Sequence, residues 1–176
     1  LARQMQANTA PAIALATALH EHLKGRTETG CVVNLLDQKL WNLNPDYFSY
    51  TLSKAALKAA TKMLAMAFAP QLRVCGLAPG VTLLSGTMGD DEFTRAHMLT
   101  PLQRSSTPQD VARSVRFLIE SPATTGTTLL VDGGQHLSAQ ARGEEQLGTA
   151  QAKVTKDRGL SEAEVLREKY RAEADG

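Results

Sequence analysis

Tyr50-Thr51-Leu52-Ser53-Lys54 opens the longest helix-forming segment of this chain. In a helix, residues four apart lie one above the other on a single face. The phenol of Tyr50 and the ammonium of Lys54 can therefore enter the same pocket. A nearby cation favours the phenolate, so Tyr50 is expected to exchange protons more readily than a free phenol of pKa about 10. Alone, such a pair is more often an ordinary helix face than a proton relay. Its neighbours on either side decide between the two.

The segment continues over residues 49–69 through Ala55, Ala56, Leu57, Ala59, Ala60, Leu64, Ala65, Ala67 and Phe68, and Pro70 stops it. Only Lys58, Thr61 and Lys62 break the apolar surface, which predicts a helix covered on two sides, by a sheet and by a second subunit. Upstream, Cys31-Val32-Val33-Asn34-Leu35-Leu36 is a short, nearly continuous apolar run that fits a strand buried on both faces. It ends at Asp37, where a carboxylate reads as site-forming, because ligands in open α/β sheets bind at the carboxyl ends of strands. Residues 39–48, with Trp41 and Tyr47, read as an aromatic-lined loop.

Downstream, residues 72–77 form a second buried strand, followed at once by Ala78-Pro79-Gly80, a sharp turn where a ligand could approach the backbone. Residues 81–100 are irregular, with Gly86 and Gly89 and a short helix begun by Asp90 and Asp91, as expected of a substrate loop. Thr107-Pro108-Gln109-Asp110 starts another helix with a threonine cap, proline in the first turn and an early acid. A third strand follows over 127–131, closed by Asp132-Gly133-Gly134. Before all of these, residues 2–24 read as an amphipathic helix kinked near Pro11 and stopped at Gly25, with Asn8 a polar residue on its small apolar face. Strand, helix, strand, helix, strand is a parallel α/β pattern.

The totals agree with one soluble domain: 176 residues, 43% hydrophobic, net charge +1 with mixed signs. That charge gives no nucleic-acid footprint, and no apolar stretch is long enough for a membrane span. No signal peptide is visible, and a cytoplasmic location is expected. Cys31 and Cys75 lie in apolar runs without metal-ligand spacing and read as reduced thiols. Residues 139–176 are rich in alternating charge and read as a polar tail, flexible or helical, beside a domain at 1–138.

Together these residues resemble the short-chain dehydrogenase/reductase family. The likeness covers Asn8 to Leu137 and rests on the order of Tyr50-x-x-x-Lys54, Arg73-Val74, Pro79-Gly80, Thr107-Pro108 and Val131-Asp132-Gly133-Gly134. It implies a Rossmann-like doubly wound parallel sheet, of which this is the C-terminal half, and an NAD(P)-dependent oxidoreductase. By the same resemblance Tyr50 is the general acid, Lys54 binds the nicotinamide ribose, and Asn8 holds a relay water. Pro79, Gly80 and Thr82 would contact the nicotinamide. The helices at 2–24 and 49–69 resemble the family's paired-helix interface, so a homodimer or homotetramer is expected.

Two departures refine the resemblance. Most members carry serine thirteen residues before the tyrosine, where this chain has Asp37, a pattern similar to the pteridine reductase branch. There the aspartate and tyrosine together protonate a pterin ring nitrogen, which implies a dihydromonapterin, dihydrobiopterin or dihydrofolate-like substrate and NADP in preference to NAD. Chemically, a carboxyl can pass a proton to a basic nitrogen, whereas a serine chiefly donates a hydrogen bond. Trp41 and Tyr47 are candidates for the substrate slot, with a packing role the competing reading. The second departure is that no Gly-x-x-x-Gly-x-Gly turn occurs in these residues, so the half that would seat the pyrophosphate is expected elsewhere. Two further readings stay open: a reductase of another carbonyl compound, and an inactive truncated form that serves only in assembly.

Overall fold

The computed structural model describes residues 1–84 and 89–138. The tail expected at 139–176, and the part of the substrate loop around Gly86, lie outside the described residues. Three parallel strands, β1 (Gly30–Leu35), β2 (Leu72–Pro79) and β3 (Thr128–Val131), lie side by side in that order. Gly30 pairs with Leu72 and Leu35 with Leu77; Gly76 pairs with Thr128 and Pro79 with Val131. The carboxyl ends of all three strands therefore fall on one edge of the sheet. The second strand runs two residues further than its apolar run suggested, and Pro79 is tolerated because it is the last residue of the strand.

β2 is central, and successive side chains point to opposite faces. Leu72 and Val74 join Leu23 and Ala65 on one face, where helices α1 (Ala10–Leu23) and α2 (Phe48–Phe68) pack. Cys75 and Leu77 join Leu118 on the other face, covered by α4 (Pro108–Glu120). Helices on both faces make the sheet doubly wound, as the family resemblance implied. A short helix, α3 (Asp90–Met98), precedes α4.

Polar side chains close the helix ends and the interior. Thr107 accepts from the Asp110 N–H while the Asp110 carboxylate accepts from the Thr107 N–H, a complete capping box at the start of α4. At the other end, the Arg73 guanidinium donates to the carbonyls of Leu118, Ile119 and Thr124 at 2.8–2.9 Å. A cation on the exposed carbonyls of a helix C-terminus is favourable. Asn34 and Thr61 were read as part of an apolar run and of a polar face. Both are buried, and Asn34 Nδ2 donates to Thr61 Oγ1 at 3.0 Å, locking β1 to α2. Cys31 and Cys75 are free thiols, and burial pushes the Cys75 thiol up.

The first helix is not simply kinked at Pro11. A short α turn (Ala2–Gln4) passes into a π turn (Met5–Thr9) before α1 begins, and the Ala10 N–H bonds to the Met5 carbonyl. Pro11 has no N–H to offer Ala7, and its ring crowds that carbonyl. Widening the preceding turn relieves the clash.

Candidate active site

β1 ends one residue before Leu36, and Asp37 follows in extended backbone at the head of a 3₁₀ turn (Gln38–Trp41). One carboxylate oxygen, Oδ1, accepts from the Lys39 N–H at 2.8 Å, which caps that turn and fixes the carboxyl plane. The other, Oδ2, accepts from the Tyr50 hydroxyl at 2.8 Å. Tyr50 lies in the first turn of α2, and Lys54 one turn on reaches back over its ring, 5.8 Å from the centroid. Lys54 Nζ donates to the carbonyl of Leu35, the last residue of β1, at 2.8 Å. Phenol, carboxylate and ammonium thus meet at the end of one strand.

The electrostatics correct one expectation. Lys54 was expected to hold the phenol pKa low, but burial first, then the Asp37 charge and the bond to its carboxylate, raise the Tyr50 pKa above its ordinary value. Burial pulls the Lys54 ammonium down, against the opposing pull of Asp37. Tyr50 therefore keeps its proton throughout the neutral range and presents it to Asp37.

Asn8 sits in the π turn, half-buried, and its Nδ2 donates to Ser53 Oγ at 3.0 Å and to Gln4 Oε1 at 2.9 Å. The Ser53 hydroxyl in turn donates to the Tyr50 carbonyl at 2.7 Å. Asn8 is thereby joined to the backbone of Tyr50 through Ser53. The widened turn that carries it had no signal in the sequence beyond Pro11.

The two aromatic candidates are placed differently. Trp41 packs against the cluster of Leu36, Leu40, Leu57 and Ala78, with Lys58 Nζ 3.6 Å above its ring. Tyr47 is largely exposed and holds a left-handed backbone (φ 53°) immediately before α2, with Lys39 Nζ 5.6 Å from its ring centroid. A bulky residue at positive φ is uncommon, and here it turns the chain into the helix that bears Tyr50.

At the neighbouring strand ends, Gly80 was expected to be glycine so that a ligand could come close. The close neighbours belong to the protein itself. A Cβ on Gly80 would lie 2.4 Å from Ser105 Oγ and 3.0 Å from Asp132 Cα. The Thr82 hydroxyl donates to the Gly80 carbonyl at 2.9 Å and lies 2.6 Å from Ser106 Oγ. Asp132, at the end of β3, is buried and accepts from the N–H groups of Gly134 and His136 and from His136 Nδ1 at 2.8–3.0 Å. The Asn42 side chain donates to the carbonyls of His136 and Ser138 at 3.1 Å, tying the loop after Trp41 to the turn after β3. Ser105, Ser106 and Asn42 escaped the sequence reading, and Asp132 was read only as part of the turn that closes the third strand. Only the Asp-Gly-Gly turn was a visible signal for this cluster. Among the described residues, no group of three or more His, Cys, Asp or Glu side chains could hold a metal ion, and no helix is long and apolar enough to cross a membrane.

A parallel doubly wound half-sheet with a Tyr-x-x-x-Lys pair at its carboxyl edge defines a class, and comparison with known proteins agrees. The family model described as enoyl-(acyl carrier protein) reductase matches residues 1–136, and the chain belongs to the short-chain dehydrogenase/reductase family of NAD(P)-dependent oxidoreductases. Among solved structures it is similar to the FolM alternative dihydrofolate reductase 1 of Brucella suis in complex with NADP. The two are 40% identical with TM-score 0.76, over 80% of this chain and 56% of that one. The corresponding protein of Brucella canis, also complexed with NADP, is 39% identical with TM-score 0.76, over 81% and 56%. Among curated proteins, the putative ketoacyl reductase 2 of the granaticin polyketide synthase of Streptomyces violaceoruber is 35% identical over 116 residues, 64% of this chain and 47% of that protein. The chain spans about half the length of such curated relatives.

Proposed function

We propose that the protein to which these residues belong is an NADPH-dependent reductase of a pteridine-type substrate, of the dihydromonapterin, dihydrobiopterin or dihydrofolate kind. The observation that carries the reading is the 2.8 Å hydrogen bond from the Tyr50 hydroxyl to Asp37 Oδ2. A carboxylate oriented by a backbone N–H and loaded by a phenol suits a basic ring nitrogen better than a carbonyl oxygen. The solved FolM relatives carry NADP, which supports NADP over NAD.

The donors present fit the nicotinamide end of such a cofactor. Lys54 offers a half-buried ammonium at the sheet edge suited to ribose hydroxyls, and Thr82 with the backbone after Pro79-Gly80 offers partners for a carboxamide. Bound NADPH supplies the hydride. The chain's own part is the proton: the Asp37 carboxylate takes the Tyr50 proton and passes it to the ring nitrogen of a C=N bond as hydride reaches the adjacent carbon, which leaves a tyrosinate and the carboxylate as it began. The Lys54 ammonium then stabilises the tyrosinate. Asn8 steadies the Tyr50 turn through Ser53 and is suited to hold a relay water. The pteridine ring is assigned to the space beside Asp37, with Tyr47 at its exposed rim and Trp41 supporting the 3₁₀ turn from beneath.

A homodimer or homotetramer is part of the proposal, because α2 carries Met63 and Met66 at 68% and 82% exposure on its outer face, an apolar surface that a second copy would cover. NADPH oxidation by the full-length protein with dihydrobiopterin or dihydromonapterin tests the reading, with Tyr50→Phe as the control. Turnover abolished in the variant is expected; no turnover of any dihydropteridine by the wild type would overturn it. The ketoacyl reductase relative favours a carbonyl substrate instead, and turnover of ketones alone would establish that second reading.

A further inference from the structure

Between α3 and α4, residues 99–106 run as a strap across the carboxyl edge of the sheet. One side of the strap is built into the turn after β2. Ser105 is 2% exposed with its hydroxyl against Gly80, and Ser106 Oγ lies 2.6 Å from the Thr82 hydroxyl. The other side is fastened to the last turn of α3. Thr100 donates to the His97 carbonyl through both N–H and Oγ1, and the Ser105 N–H donates to His97 Nδ1 at 3.1 Å.

The His97 contact fixes a tautomer. A nitrogen that accepts a backbone N–H carries no hydrogen, so the ring proton lies on Nε2. Nε2 is buried and has no hydrogen-bond partner among the described residues. The ring also rests on Phe93, with centroids 4.4 Å apart. A phenylalanine would make that ring contact without burying an unpaired donor. What histidine alone adds is the Nδ1 lone pair.

We infer that His97 is a positioning residue for the cofactor. Its Nδ1 holds the Ser105 backbone, the Ser105–Ser106 pair sets the Gly80–Thr82 turn, and that turn meets the nicotinamide. The inference rests on the placing of NADPH at Gly80 and Thr82 proposed above. It also couples helix α3 to the cofactor site through one side chain.

Two variants of the full-length protein separate the lone pair from the ring. His97→Phe keeps the ring contact with Phe93 and removes the acceptor. His97→Asn places an acceptor oxygen at the same distance from Cα as Nδ1 and removes the ring. The dissociation constant of NADPH, from fluorescence titration without substrate, is read first, and KM and kcat second. For His97→Phe, Kd and KM for NADPH rise about tenfold, the loss expected for one hydrogen bond, with kcat within about twofold of wild type. His97→Asn keeps both constants within about twofold of wild type. The opposite pattern, or equal weakening by the two variants, overturns the inference. Should His97→Phe fail to fold, His97→Asn decides, since weakened NADPH binding there has the same consequence. If wild type binds NADPH but reduces no dihydropteridine, the substrate assignment falls while the His97 test still stands. If wild type does not bind NADPH, both fall.

Discussion

The two corners of the sheet's carboxyl edge are built on opposite plans. At the β1 corner three half-buried side chains come together: Tyr50 donates to Asp37, Lys54 donates to the Leu35 carbonyl beside them, and burial and the Asp37 charge shift the pKa values of Tyr50 and Lys54. At the β2–β3 corner, fixed backbone does most of the positioning: Gly80 against Ser105 and Asp132, Gly133 against Arg104, and Asp132 accepting from two backbone N–H groups. On the proposed function, the first corner passes the proton and the second holds the hydride donor. A reductase needs both, because a hydride donor must be held still while a proton is passed.

The sharpest way to break this contrast is to take one essential atom from each corner. Tyr50→Phe removes the proton and should lower kcat by roughly 10²–10⁴-fold with NADPH affinity nearly unchanged. Gly133→Ala should instead act on folding. Gly133 has φ +65°, and a Cβ there would lie 1.9 Å from the Arg104 carbonyl oxygen, a clash with backbone. A loss of about 3 kcal/mol or more in chemical denaturation is expected. If Tyr50→Phe chiefly weakens stability, or Gly133→Ala is silent, the two corners do not divide the work in this way.

Arg73 extends the second plan away from the site. Replacing it by Met takes the guanidinium from two carbonyls at the end of α4, Leu118 and Ile119, and from Thr124 in the loop beyond, and should cost about 2 kcal/mol of stability. Activity at low temperature should be retained. The smallest effect expected is that of Thr107→Ala, which opens the capping box of α4 for about 1 kcal/mol.

The raised phenol adds a pH signature. A group whose pKa is higher in the folded state adds stability that is complete below the unfolded value, about 10 for tyrosine, and is lost as pH rises beyond it. Wild type should therefore lose stability more steeply above pH about 10 than Tyr50→Phe does, as followed by denaturation in alkaline buffers. Equal slopes would mean that Tyr50 is not held protonated by burial and Asp37.

How much of each corner could be read in the sequence follows from the same contrast. Tyr50, Lys54 and Asp37 were legible because their chemistry is carried by side chains at helical spacing and at a strand end. The strands were legible because β2 alternates Leu72, Val74 and Cys75, Leu77 between two packed faces. The second corner was not, since Ser105, Ser106 and Asn42 are unremarkable polar residues whose side chains meet Gly80, Thr82 and the turn after β3, tens of positions away. Asn34 and Thr61 show the same limit: one was read within an apolar run and the other on a polar face, and their buried pairing became visible only in the structure. The sign of the Tyr50 pKa shift also needed the structure. Sequence spacing shows that a cation is near, but it does not show how deeply the phenol is buried or that its nearest partner is a carboxylate.

The central claim is that Asp37 gives this site its substrate preference. Its direct test is the Asp37→Ser variant of the full-length protein, with kcat/KM measured for a dihydropteridine and for a simple ketone at saturating NADPH. Serine removes the carboxyl proton carrier but can still cap the 3₁₀ turn. The account predicts a fall of about 10²-fold or more for the dihydropteridine and less than about fivefold for the ketone. Equal losses on both substrates would contradict it.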